Sequence, residues 1–154
     1  MITYLKKDIT TVTRGVVGNG TNCLGLMGAG VALAIRNKWN NVYNDYVKLV
    51  QKQNNPEDLL GTTQVIEINE NELYVANCFT QVNCGHDGKV YASVSAIQDT
   101  LTHIVEFALY HNLPLYIPKI GCGLGGLSWS NDIQPIVEEL VTSHPDLELY
   151  VVDL

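Results

Sequence analysis

The chain has 154 residues, 46% hydrophobic and 16% charged, which excludes a disordered polymer and leaves room for only one full core. Its 9 basic and 16 acidic residues give a formal net charge of −7, which excludes general nucleic-acid binding through basic stripes. A single phosphorylated small molecule stays open, because backbone amides hold phosphate without any cation.

In chain order, Ile2 to Leu5 and the glycine-rich Gly15 to Gly20 read as strands. No signal peptide is apparent, and no apolar run approaches the ~18 residues that span a bilayer, so no membrane partner is expected. A helix opens at Val31, and a second places Val42, Tyr46, Leu49 and Val50 on one face before Asn54-Asn55-Pro56 breaks it. Gln64 to Ile68 and Leu73 to Cys78 read as strands joined by a turn at Asn69-Glu70-Asn71. The strongest helical pattern runs from Ser93 to Tyr110, where Val94, Ile97, Leu101, Ile104, Val105, Ala108 and Leu109 keep one face. Pro114 to Pro118 bounds a short apolar strand. A last helix aligns Ile133, Ile136, Val137, Leu140 and Val141. Pro135 has no amide to donate and belongs in that helix's first turn, which makes Asn131 or Asp132 the expected N-cap. Leu147 to Val152 closes the chain as a strand. Alternating strands and helices imply an α/β sandwich with a largely parallel sheet covered on both faces, in a single domain over residues 1–154. Cys23, Cys78, Cys84 and Cys122 lack metal spacing and any C-x-x-C pair, so they read as reduced thiols of a cytoplasmic protein that holds no metal.

Two glycine-rich segments stand out, each placed between a strand and a helix. The first is Asn22-Cys23-Leu24-Gly25-Leu26-Met27-Gly28-Ala29-Gly30, and the second is Gly121-Cys122-Gly123-Leu124-Gly125-Gly126. Such loops let a ligand touch the backbone, and a helix directly after the loop turns free N–H groups toward an anion. Two converging loops suit a diphosphate. The second spells G-x-G-x-x-G, but a dinucleotide fingerprint belongs in the first βαβ unit, and here only 28 residues remain after Gly126. No Gly-Lys-Ser or Gly-Lys-Thr marks a P-loop.

The first segment, together with Ile117-Pro118-Lys119-Ile120-Gly121-Cys122-Gly123-Leu124-Gly125-Gly126-Leu127 and Trp129, resembles a macrodomain, in the branch of short bacterial, phage and fungal proteins similar to ADP-ribose-1″-phosphate phosphatases. The resemblance extends from Lys7-Asp8-Ile9-Thr10 to the last strand. It implies a three-layer α/β/α sandwich with a mostly parallel mixed sheet, and an ADP-ribose cleft at the strands' carboxyl ends. It implies that Asp8 accepts a hydrogen bond from the adenine amino group and that Ile9 adds a backbone contact. Asn22 would face the distal ribose; it equally suits an Asx-type turn that starts the loop. Met27, Gly28, Ala29, Gly30 and Val31 would form the first phosphate-side loop. Pro118, Gly121, Cys122, Gly123, Leu124 and Gly125 would form the second. Trp129 is expected to anchor that loop by packing.

Deacylase relatives carry a lysine after the strand equivalent to Tyr74–Cys78 and an acid in the second loop. Here Gln81 takes the lysine's place and a glycine the acid's, and neither can act as a nucleophile or base. Asn19 takes the place of a histidine found in some relatives. Asn22 and Gln81 are therefore the candidate catalytic residues. His86 and Asp87 would form a base only if their loop folded over the ligand, and Lys89 reads as a solvated surface residue. Cys122 is not expected to act as a nucleophile, because a cysteine phosphatase wraps its phosphate with an arginine and neither Arg14 nor Arg36 is expected near a loop. The reading is a monomer without a cofactor that binds ADP-ribose or ADP-ribose-1″-phosphate and hydrolyses the terminal phosphate of the latter. The alternatives are a hydrolase that removes ADP-ribose from protein or nucleic-acid adducts, and a non-catalytic ADP-ribose reader or scavenger.

Overall fold

The computed structural model describes residues 2–154. The strands are β1 (Ile2–Lys6), β2 (Gly15–Thr21), β3 (Thr63–Asn69), β4 (Leu73–Phe79), β5 (Leu115–Ile117) and β6 (Leu149–Asp153). The helices are α1 (Gly30–Lys38), α2 (Asn40–Gln51), α3 (Val94–Tyr110) and α4 (Gln134–Ser143). The strands form one sheet in the order β1-β6-β5-β2-β4-β3, parallel throughout except for the antiparallel β3–β4 pair. Central β2 is buried on both faces, as a parallel strand under two helical layers must be.

The two helical layers close two cores. Ile97, Leu101, Ile104 and Val105 of α3 and Val137 and Val141 of α4 pack with Val16, Ala76, Leu115 and Val151. On the other face Ile35 of α1 and Val42, Tyr46 and Val50 of α2 pack with Val17, Val75 and Phe79. This is the expected three-layer α/β/α sandwich. Among the described residues, no helix is long and apolar enough to cross a membrane.

Ser93 caps α3, its hydroxyl accepting from the Ala96 amide at 3.2 Å. The start of the last helix differs from expectation. Neither Asn131 nor Asp132 is the N-cap: a wide π turn, Trp129–Ile133, precedes α4, and Ser128 caps that turn by accepting from the Asn131 amide at 3.2 Å. Asp132 returns the contact, accepting from the Ser128 amide at 2.8 Å. Counting back from Pro135 located the first turn of α4 correctly but missed the turn wound before it. Trp129 packs against the α3/α4 core and donates to the Tyr4 hydroxyl at 3.2 Å, the anchoring role expected of it.

The strand order positions the site. From β2 the chain crosses one face through α1 and α2 toward β3 and β4; from β4 it returns across the other face through α3 to β5. Strands β5 and β2 are parallel neighbours, so the loops after them emerge side by side at the sheet's carboxyl edge, where α/β sheets bind ligands.

Candidate functional site

A cleft of about 410 Å3 opens between these loops, beside the end of β4. Of the residues singled out from sequence, Asn22, Met27, Gly28, Ala29, Gly30, Val31, Gln81, Pro118, Gly121, Gly123, Leu124 and Gly125 line it. Asp8, Ile9 and Cys122 do not. Asp8 caps the short turn Ile9–Thr11, its Oδ1 accepting from the Thr10 amide at 2.9 Å and the Thr10 hydroxyl at 2.7 Å. Those two bonds hold its carboxyl below the usual aspartate value. Ile9 is buried in the core under α1 and α2. Cys122 belongs to the second loop but turns its thiol toward the Ile120 carbonyl, 3.4 Å away. Burial, with Asp132 nearby, raises that thiol's pKa, opposite to what a nucleophile needs.

The loop after β2 is held by a hub that no sequence pattern announced. The buried Tyr46 hydroxyl donates to Asn22, with Oδ1 at 2.7 Å and the carbonyl at 2.8 Å, and accepts from the Gly25 and Leu26 amides at 3.1 Å each. Asn22 Oδ1 also accepts from the Leu24 amide at 2.9 Å, while Nδ2 donates to the Leu26 carbonyl at 2.9 Å. Asn22 is therefore both the Asx-type turn residue and a cleft residue. One Nδ2 hydrogen remains free of this network. Tyr46 read from sequence as one more apolar position of α2, since helical spacing reports the face and not the hydroxyl. Directly after the loop, α1 begins at Gly30 with no side-chain cap from Ala29, leaving its first amides for another acceptor.

In the loop after β5, two neighbouring glycines differ in what their surroundings allow. Gly121 has φ +78°, and a Cβ there would lie 2.6 Å from Ile97 Cδ1, so packing beneath the loop demands glycine. Gly123 lines the cleft, and a Cβ there would meet nothing within 4 Å.

Gln81 bridges to Ala92, and its Nε2 donates to the Asn83 carbonyl at 2.8 Å. The next residues bring His86 to the cleft without Asp87, whose carboxylate accepts from the Tyr91 hydroxyl at 2.8 Å. The hydrogen bonds of Asp87 thus run to the Tyr91 hydroxyl and the Lys89 amide, and no His86–Asp87 bond forms a base. Lys89 is exposed, paired loosely with Asp87 at 3.8 Å, and outside the cleft.

The wall also includes Asn19 and Lys119, and, contrary to the expectation that neither arginine lies near a loop, Arg36, which α1 carries to the cleft. Arg36 lies over the Tyr43 ring at 3.9 Å, and Lys119 is 3.4 Å from Asp153. Among the described residues, no Asp or Glu lines the cleft. In a chain of net charge −7, this acid-free wall of backbone amides and two cations is an electrostatic exception that favours an anion.

A family profile described as the macro domain matches residues 18–134. A solved protein of unknown function from Bacteroides thetaiotaomicron is 30% identical, with a TM-score of 0.87 covering 100% of this chain and 98% of that one. The DNA ADP-ribosyl glycohydrolase of Mycobacterium tuberculosis (strain ATCC 25618 / H37Rv) is 23% identical over 153 residues, covering 98% of this chain. The chain spans only 42% of that relative's length. The Thermosipho africanus DarTG structure, solved in complex with ADP-ribose, shares the fold at 21% identity, with a TM-score of 0.76 over 96% of this chain and 40% of that one.

Proposed function

Because the chain belongs to the macro domain family, we propose that its cleft binds ADP-ribose and that the protein hydrolyses the terminal phosphate of ADP-ribose-1″-phosphate. The observation that carries the binding is the composition of the wall: two glycine loops, an uncapped helix N-terminus and no carboxylate. A diphosphate lies between Gly28–Val31 and Gly121–Gly125, with the distal ribose toward Asn22. Asp8 and Ile9 take the adenine end beyond the cleft proper.

For turnover, water attacks phosphorus as the bond from phosphorus to the ribose oxygen breaks, its hydroxyl staying on phosphorus and its other proton passing to the released ribose oxygen, giving inorganic phosphate and ADP-ribose. Loop amides stabilise charge on the phosphoryl oxygens, and the free Nδ2 hydrogen of Asn22 orients the terminal group. Asn22 and Gln81 are amides, so they position groups and move no proton. Such a site works slowly, by orientation and preorganised donors.

A second reading is favoured by the curated relatives: removal of ADP-ribose from DNA, the activity their name carries over 98% of this chain. Against it stands Gln81 in the place where the family resemblance puts a lysine. One experiment separates them. Inorganic phosphate is measured with ADP-ribose-1″-phosphate while free ADP-ribose is measured with an ADP-ribosylated single-stranded oligonucleotide. Phosphate release with an intact oligonucleotide supports the first reading, and the reverse pattern replaces it with the second. Calorimetry showing no ADP-ribose binding refutes both.

A further inference from the structure

On the sheet face beneath α1 and α2, three side-chain amides stand in register on adjacent strands. Asn19 of β2 is opposite Asn77 of β4, and Asn77 is opposite Gln64 of β3. Asn19 Nδ2 donates to Asn77 Oδ1 at 3.0 Å, and Asn77 Nδ2 donates to Gln64 Oε1 at 3.2 Å. Gln64 Nε2 in turn donates to the Asp45 backbone carbonyl in α2 at 3.1 Å.

The direction of this ladder is fixed at its far end. A backbone carbonyl can only accept, so Gln64 must turn its NH2 toward Asp45 and its oxygen toward Asn77. Flipping any one amide would set oxygen against oxygen or N–H against N–H, so the orientation is imposed on all three. The near end is Asn19 Oδ1. Asn19 is 1% exposed, lines the cleft, and its Oδ1 is, among the described residues, the buried side-chain polar atom without a hydrogen-bond partner. A buried unpaired acceptor is destabilising, and such an exception calls for a ligand group to fill it.

We propose that the ladder holds Asn19 Oδ1 as an acceptor-only contact on the cleft floor for a hydroxyl of the ligand's distal ribose, and that Asn77 and Gln64 are positioning residues that set this preference from outside the cleft. A phosphate oxygen at neutral pH carries no hydrogen to donate and is turned away from the floor; a hydroxyl donates and is taken. The cleft is thereby divided into an accepting floor for sugar and donating loops for phosphate. This inference rests on the ADP-ribose reading and adds to it a residue, Gln64, on the sheet's edge strand.

The test compares ADP-ribose with ADP, which lacks the distal ribose, by calorimetry on the parent, Asn19→Ala and Gln64→Met. Asn19→Ala should weaken ADP-ribose roughly tenfold, the worth of one hydrogen bond, and leave ADP within about twofold. Gln64→Met removes the anchor without touching the cleft wall and should weaken ADP-ribose by about threefold or more, again sparing ADP. It sits on the edge strand, partly exposed, and carries the test if Asn19→Ala fails to fold. Equal loss of both nucleotides, the signature of a merely structural role, overturns the proposal, as does no loss of ADP-ribose. A parent that binds ADP-ribose no better than ADP also overturns it while leaving a nucleotide cleft in place. A parent that binds neither overturns the ADP-ribose reading itself and this inference with it.

Discussion

Replacing Gly123 by valine separates the ligand's need for space from the fold's. The position lies outside the left-handed region of backbone space, and an added Cβ meets no atom within 4 Å. Stability should therefore change by no more than about 0.5 kcal/mol, as for an ordinary surface substitution. The valine branches instead occupy the path by which a phosphate reaches the amides of the loop after β5. Holding a phosphate oxygen away from one amide removes a charge-assisted hydrogen bond of about 1.5–3 kcal/mol, roughly 10- to 150-fold in Kd. Gly121→Val is the matched contrast: with φ +78° and Ile97 Cδ1 2.6 Å from the new Cβ, it should lower the melting temperature. Calorimetry with ADP-ribose and thermal melts on both variants make the assay. If Gly123→Val folds normally and binds ADP-ribose as tightly as the parent, the placement of phosphate against this loop is wrong.

Tyr46→Phe should cost about 2–3 kcal/mol in urea unfolding and weaken ADP-ribose, because two loop amides and Asn22 lose their shared partner; an unchanged midpoint refutes the hub. Thr10 holds the Asp8 carboxyl below its ordinary value of 3.8, so the stability Asp8 adds is complete above that value and lost as pH falls through the lowered one. The melting difference between the parent and Asp8→Ala should accordingly shrink between about pH 6 and about pH 2, and a constant difference counts against the cap. Iodoacetamide at neutral pH should label exposed Cys84 and spare Cys122, whose thiol burial keeps protonated; peptide mapping that finds Cys122 labelled first contradicts this.

How much of the molecule could be read from its sequence depends on how far apart the interacting residues lie. Helix α3 was legible because Ser93 caps it and its apolar face recurs within one segment. Strand β5 was legible between its two prolines, and the two glycine loops announced themselves as backbone surfaces. The Ser128 cap was local too, yet Pro135 drew attention to the turn after it. The amide ladder was not legible at all: Asn19, Asn77 and Gln64 meet only because β2 lies beside β4 and β4 beside β3. Tyr46 was hidden differently, since its ring does what its apolar neighbours do and only its hydroxyl differs. Asp8 and Ile9 matched a motif, but the structure first uses Asp8 to cap its own turn and Ile9 to fill the core.

The segment between β4 and α3 ties the two glycine loops to each other. At one end the Cys23 amide in the loop after β2 donates to the Val82 carbonyl at 3.1 Å. At the other, the Tyr91 and Ala92 amides both donate to the Gly125 carbonyl, at 2.9 and 3.1 Å. Backbone bonds thus sew the two glycine loops to one intervening strap, so the walls of the cleft open together and not one by one. Amide hydrogens of Cys23, Tyr91 and Ala92 should show one common protection factor against exchange with solvent. Substitutions along residues 82–91 that loosen the strap should then lower the protection of both glycine loops at once.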